Sequence, residues 1–319
     1  MTDTASVVIP CYTEDRWPQL CDAVSSALAQ IPRPEAVVVA VDRNTALCNR
    51  LRQWSSDITV ALNSQIPGAS ATRNVGAAEV GSSIIAFLDD DAAARPGWLA
   101  ALTEPFAETD VVGTGGFVAP KWHAERPRWF PEEFDWAVGA SFRGQPITRS
   151  YVRNVWSENM AVRRSVFSRV GGFSHDFTKV GTYSRPDDTD LCLRMAKTFP
   201  GAKWAYVPNA VVDHSVPMAR TTFSFFLRRC YLEGRGKVEL ARRGDGLDDL
   251  TSEQSYFLKT LPVGIRQHTL GAFRDRDVSE FLKMLSIPAG VVSAGFGALH
   301  AATLATLSRK RRSRPWDAS

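Results

Sequence analysis

The sequence predicts an α/β fold, and three observations carry that prediction. Four short runs, residues 6–10, 36–42, 58–63 and 84–88, are nearly continuous in Val, Ile, Leu and Ala. Unbroken apolar runs of this length suit strands buried on both faces of a parallel sheet. Segments 17–30, 45–54 and 69–80 lie between them, each long enough for a crossover helix, so the amino-terminal half reads βαβαβαβ. The carboxyl ends of the runs carry Asp42 and the triplet Asp89, Asp90 and Asp91, at the positions where open α/β sheets bind ligands.

Beyond residue 111 the regularity fades. The stretch 121–136 is dense in Trp, Pro, Phe and Glu and reads as a structured loop. Residues 163–170 form a short predicted helix stopped by Gly171 and Gly172, and 188–199 another with a carboxylate-rich start. A late strand is expected at 205–212, followed by a basic helix over 221–240 with Phe223, Phe226, Leu227, Tyr231 and Leu232 at helical spacings.

The chain has 319 residues, long enough for two packed lobes. Its 38 basic and 34 acidic side chains leave a net charge of only +4, so no global field argues for a nucleic-acid partner. Five scattered cysteines form no CxxC pair, against a zinc knuckle or a disulfide framework, so a reducing cytosol is expected. The start lacks the charged and apolar regions of a signal peptide. Residues 285–308 contain no Lys, Arg, Asp or Glu and precede Arg309, Lys310, Arg311, Arg312 and Arg314. That run has bilayer-crossing length, but a single crossing would export the basic tail. An interfacial or paired-helix arrangement is therefore expected, with a buried helix as the alternative.

Several groups of residues are suited to chemistry. Adjacent carboxylates at 89–91 repel one another, and a hard divalent cation compensates them well; the alternative is an acidic turn. Asp42 can accept hydrogen bonds from a base or ribose, or form a turn with Asn44. Small residues at 68–72 open a helix that places Arg73 one turn in, suited to a phosphate or to the aspartates. Asp187, Asp188 and Asp190 either cap a helix or supply a general base. His214 follows the late strand as a structural residue or a ligand.

In order along the chain these features resemble the inverting family 2 glycosyltransferases of GT-A fold, over about residues 6–214. VVIPCY resembles the family's nucleotide-binding start, AVDRN its second-strand acidic motif, GASATRNVG its Arg-Asn helix and FLDDD its aspartate motif. NMAVRRSVFSRVGGF is similar to the acceptor-side segment, and PDDTDLCLR to the Glu-Asp motif. The chain departs from the pattern at Arg43, where the family often has a second acidic residue, and at Asp187, which replaces Glu.

The resemblance implies a Rossmann-like nucleotide-binding mixed sheet flanked by helices, with a carboxyl-terminal helical extension. It divides the chain into a catalytic domain over 1–215, with a nucleotide-sugar half at 1–110 and an acceptor half at 111–215, and a basic extension over 216–319. It implies donor contacts at Pro10, Tyr12, Asp42, Arg73, Asp89 and Asp90. It assigns Mn²⁺ or Mg²⁺ to Asp91, Asp89 and His214, the acceptor side to Trp156, Glu158, Asn159 and Asp187, and the catalytic base to Asp188. The implied partners are a UDP-, GDP- or dTDP-sugar donor, a glycan or lipid-linked acceptor and a membrane surface on its cytoplasmic face. The rival readings are a silent sugar-nucleotide or glycan-binding module and a nucleotidyltransferase.

Overall fold

The computed structural model describes residues 3–176, 179–180, 183–184, 186–242 and 254–312. The chain divides into two compact units, Met1–Lys121 with Gln145–Ser215, and Trp122–Gly144 with Val216–Ser319.

In the first unit the predicted βαβαβαβ half is present: β1 (Ala5–Cys11), α1 (Trp17–Leu28), β2 (Val37–Asp42), α2 (Thr45–Trp54), β3 (Thr59–Asn63), α3 (Ala69–Ala78) and β4 (Ile84–Leu88). Then follow β5 (Ala92–Ala94), α4 (Trp98–Thr103), β6 (Val111–Trp122), β7 (Ser150–Val152), β8 (Asn159–Arg163) and α5 (Arg164–Arg169). The short pair β9 (Lys179–Val180) and β10 (Tyr183–Ser184) precedes α6 (Asp187–Thr198) and β11 (Lys203–Val216).

Nine strands form one sheet in the order β3-β2-β1-β4-β8-β6-β11-β5, with β7 also paired to β11. β3, β2, β1 and β4 run parallel. Beyond β4 the sheet becomes mixed, because β8 joins it antiparallel with Phe87 opposite Met160. Successive side chains on a strand point to opposite faces, and both faces are covered here. Val7, Ile9, Val37, Val39, Ile84 and Ala86 pack with Leu20, Leu47 and Trp98 of α1, α2 and α4. Val8, Val38, Ile85 and Phe87 pack with Ala77, Val166 and Leu191 of α3, α5 and α6. Double coverage is the physical reason these strands read as continuous apolar runs.

The fading after residue 111 does not mark a loop. β6 is a twelve-residue strand whose pattern is masked by Gly113, Gly115 and Gly116. A Cβ on Gly113 would lie 2.1 Å from the Trp204 ring, and one on Gly116 2.0 Å from the Ala210 carbonyl oxygen. Neighbouring strands, not local propensity, select glycine there.

The second unit contains α7 (Phe223–Ala241), α8 (Leu261–Arg274) and α9 (Val278–Arg312). The aromatic stretch read as a loop packs here. Its Phe130 and Phe134 stand 5.6 and 5.2 Å from Phe226 of α7, in edge-on geometry, and Cys230, Leu261 and Ile287 complete this core. The uncharged run forms the body of α9, and Arg314 lies outside the described residues. Among the described residues, the one helix long and apolar enough to cross a membrane, by length and composition, is that over Val278–Leu304.

A charged junction ties α8 and α9 to the aromatic segment. His268 on α8 sits with Nε2 3.1 Å from Glu133 and Nδ1 2.6 Å from Glu280. Lys283 bridges Glu132 and Glu280, and Arg143 bonds Glu133. The donor atoms of Glu132, Glu133 and His268 are close enough to hold a metal, but the three carboxylates already face two fixed cations and the imidazole. The charges close without an added ion.

Burial opposes the charge on His268, but its two carboxylates more than offset this and hold its pKa above the ordinary value. Burial likewise opposes charge on Glu133 and Glu280, while the His268 bonds lower both. A raised histidine stabilises the fold fully below its unfolded pKa, and that contribution fades as pH rises through the folded value. The lowered carboxylates contribute above their unfolded values and fade as pH falls. The junction is therefore expected to be strongest between the ordinary carboxylate and raised histidine ranges. Replacing His268 by Leu is expected to cost about 3 kcal/mol at pH 6 and to flatten the alkaline side of the stability profile, measured by denaturation across pH. An unchanged alkaline limb would remove His268 from this role.

Candidate functional site

The carboxyl ends of β1, β2 and β4 and the start of α6 bring most of the expected residues together. Arg73 links two of the motifs. It is nearly fully buried (4% exposed) and lies one turn into α3, where small residues let the helix approach the strands. Its Nη2 donates to Asp89 at 2.7 Å and its Nη1 to Asp187 at 3.2 Å. Ser70 also donates to Asp187, at 3.1 Å. Burial opposes the Arg73 charge, yet Asp89 and Asp187 more than compensate and raise its pKa. Burial pushes the Asp187 carboxyl up against the opposing pull of Arg73.

Asp90 and Asp91 form a second ion-paired group. A single Nη1 of Arg16 donates to both, at 2.8 and 2.7 Å, and its guanidinium stands 5.0 Å from the centre of the exposed Tyr12 ring. Burial works against the Arg16 charge, but the two carboxylates outweigh it and raise its pKa. Asp91 also faces His214, Oδ1 to Nε2 3.3 Å. β11 positions this imidazole, with His214 in register with Ala92 and the Ser215 amide donating to the Asp91 carbonyl oxygen.

Asp42 closes the end of β2, accepting from Asn63 Nδ2 at 3.2 Å and from the Gly68 amide at 2.9 Å. Pro10 is buried within β1, opposite Ala40. Asp188 is half-buried in the first turn of α6, where one carboxylate oxygen accepts from the Thr189 amide at 2.6 Å. Glu158 is half-buried. Burial first, then the charges of Asp89, Asp91 and Asp188 against the opposing His214, push its pKa up to about 7. Trp156 is partly buried against the core.

Asn159 does not join this group. It is buried, its amide donates to the Phe117 and Ala210 carbonyl oxygens, and it accepts from the Trp98 indole at 2.8 Å. With its oxygen and both amide hydrogens engaged, it ties β6, β8, β11 and α4 together. Arg16 joins the group without having been singled out in the sequence. The available signal was a cation within six residues of the end of a buried strand.

The arrangement combines alternating charge with hard donor atoms. The carboxylate oxygens of Asp89 and Asp91 are hard donors of the kind that take a divalent cation. Arg16 has its side chain one-quarter exposed, whereas that of Arg73 is 5% exposed.

The model of glycosyl transferase family 2 matches residues 6–171. The chain is 28% identical over 297 residues to a glucosyl-dolichyl phosphate glucuronosyltransferase of Haloferax volcanii, covering 92% of this chain and 94% of that protein. It is 30% identical over 188 residues to a pre-mycofactocin glycosyltransferase of Mycobacterium tuberculosis, covering 59% of this chain and 38% of that protein. Among solved structures it is similar to the mannosyltransferase PcManGT of Pyrobaculum calidifontis in complex with GDP-Man and Mn²⁺. That match has a TM-score of 0.60 and 18% identity over 94% of this chain and 88% of that one. GalNAc-T7 with UDP, GalNAc and Mn²⁺ matches at a TM-score of 0.54 and 16% identity, over 80% of this chain and 53% of that one. Their mixed sheet flanked by helices is the GT-A fold found here. On the family match, which spans more than half of its length and contains the aspartate triplet and Arg73, the chain belongs to glycosyl transferase family 2.

Proposed function

We propose that this glycosyltransferase moves a sugar, with inversion, from a nucleoside-diphosphate donor to a hydroxyl of a lipid-linked glycan, and that it depends on a divalent metal. The observation that carries the reading is the bridge of Arg73 between Asp89 and Asp187. It brings the aspartate triplet, suited to a diphosphate, beside the start of α6, where Asp188 is suited to take a proton.

Asp91, assisted by Asp89 and His214, is the proposed metal-binding set. These residues would hold a Mn²⁺ or Mg²⁺, which would supply charge neutralisation to the departing diphosphate. Tyr12, Pro10 and Asp42 border the donor's nucleoside, with the exposed Tyr12 ring offering a stacking face. Trp156 and Glu158 border the acceptor. Asp188 removes the acceptor proton as the oxygen attacks the anomeric carbon from the face opposite the leaving group. One bond to carbon forms as the bond to the diphosphate breaks, so no covalent enzyme intermediate is needed. The lipid-linked acceptor is supported by the similarity to the Haloferax glucosyl-dolichyl phosphate glucuronosyltransferase. The five free cysteines fit a reducing compartment, and the cytoplasmic face of a membrane is the proposed place of work.

The test is a panel of UDP-, GDP- and dTDP-sugars with Mn²⁺ or Mg²⁺, with and without a polyprenyl-phosphate-linked sugar. Acceptor-dependent release of nucleoside diphosphate is expected. Release of pyrophosphate would instead identify a nucleotidyltransferase, and binding without turnover a silent module. Arg16 gives an independent check on the metal. A guanidinium and a dication compete for Asp91, so Arg16→Gln is expected to tighten Mn²⁺ binding in the absence of donor by about 10-fold. Calorimetry reads this directly, and weaker binding would show that Arg16 supports the metal instead of displacing it.

A further inference from the structure

α9 is inverted relative to an ordinary surface helix. Its small residues face inward. A Cβ on Gly234 of α7 would lie 1.9 Å from the Ala294 carbonyl oxygen, and one on Gly297 equally close to that of Tyr231, so the two backbones run in direct contact. Ser293 donates to the Leu227 carbonyl oxygen at 2.7 Å, and Arg242 to that of Ala301 at 3.3 Å. Ile287 turns into the aromatic core, but five other large residues face outward: Phe281, Leu285, Val292, Phe296 and Leu299 are 46–64% exposed and recur at helical spacings along one stripe. A helix packed in water buries its large apolar side chains and exposes small or polar ones. Small residues at the helix contact and large ones outside are the arrangement of a helix facing hydrocarbon. α8 continues the surface with Leu270 and Phe273, 56% and 80% exposed.

Charge identifies the occupant. Residues 254–312 contain nine Lys and Arg against three acidic residues. Lys259, Arg266, Arg274 and Arg276 are exposed beside the α8 part of the surface, with Asp275 and Asp277 the acidic residues nearby. The last turn of α9 carries Arg309, Lys310, Arg311 and Arg312 in sequence, after a body with no charge. An apolar stripe ended by cations complements anionic headgroups over acyl chains.

α9 does not cross a bilayer alone in this fold. Its inner face is committed to α7, whose Arg229, Glu233, Arg235, Lys237 and Glu239 would be carried into hydrocarbon with it. We infer that α8 and α9 form a docking surface that lies in the plane of an anionic bilayer, with Phe281, Leu285, Val292, Phe296 and Leu299 sunk into the acyl boundary. This deepens, and rests on, the lipid-linked acceptor reading.

The test is partitioning of the full chain onto vesicles of phosphatidylcholine with 30% phosphatidylglycerol, with no donor or acceptor present. The failure of docking and the failure of the acceptor assignment therefore read out separately. Cosedimentation is expected with these vesicles and to weaken in pure phosphatidylcholine or at high salt. The double variant F296S/L299S replaces exposed side chains outside the proposed active site. It is expected to partition about 100-fold less, with unchanged circular dichroism and donor turnover. Absence of binding by the parent chain, or equal binding by the variant, overturns the inference. So does a dimer that the double variant dissociates, since a second copy would then cover this surface.

Discussion

Asp188→Asn is expected to lower acceptor glycosylation by about 10²–10⁴-fold, the usual contribution of a positioned general base, while donor affinity stays within about twofold. The substitution keeps the size of the side chain and an oxygen able to accept from the Thr189 amide, which Asp188 now meets at 2.6 Å. Only the capacity to take a proton is removed. Because Arg73 contacts Asp187 and Asp89 directly, the diphosphate side of the site should be unaffected. Donor binding is read by calorimetry with the nucleoside diphosphate, and transfer by product analysis with the lipid-linked acceptor. Near-normal turnover would move the base elsewhere, with Glu158 next to be tested.

Arg73→Met is expected to cost about 3–5 kcal/mol of stability, because it leaves Asp89 and the buried Asp187 carboxylate without their shared cation. Burial already pushes Asp187 toward its protonated form, and removing Arg73 strengthens that push. A group whose folded pKa lies above its unfolded value favours folding more as pH falls, so the variant should recover part of the loss on acidification. Arg73→Lys retains the charge but not the two-pronged reach, and an intermediate loss is expected. Denaturant unfolding at pH 7 and pH 5 checks both statements. A loss below about 1 kcal/mol for Arg73→Met would show that the bridge is not structural.

What was legible in the sequence follows a physical divide. Strands buried on both faces must be apolar throughout, so β1, β2 and β4 were readable within about two residues, as was the edge strand β3 despite its exposed Thr59 and Leu62, and the helices between them follow from spacing. α7 was equally legible, since Phe226 and Cys230 face its core. β6 was not, because Gly113 and Gly116 answer to Trp204 and Ala210, about a hundred residues away in sequence. The same holds for β8, whose hydrophobic run NMAVR is too short to declare itself without its antiparallel partners on either side.

For the candidate site the division is the same. The sequence alone determined which residue types stand at the ends of the buried strands and at the start of α6, because their order needs no contact information. The tertiary structure alone decided which of them meet. Arg73 chose Asp89 and Asp187, Arg16 entered opposite Asp90 and Asp91, and Asn159 was turned inward to hold strands together. It also decided that Phe281, Leu285, Val292, Phe296 and Leu299 of α9 face outward while Ile287 turns inward. Helical spacing says which residues share a face, but only the packing of a neighbour such as α7 against the small residues says which face is left open.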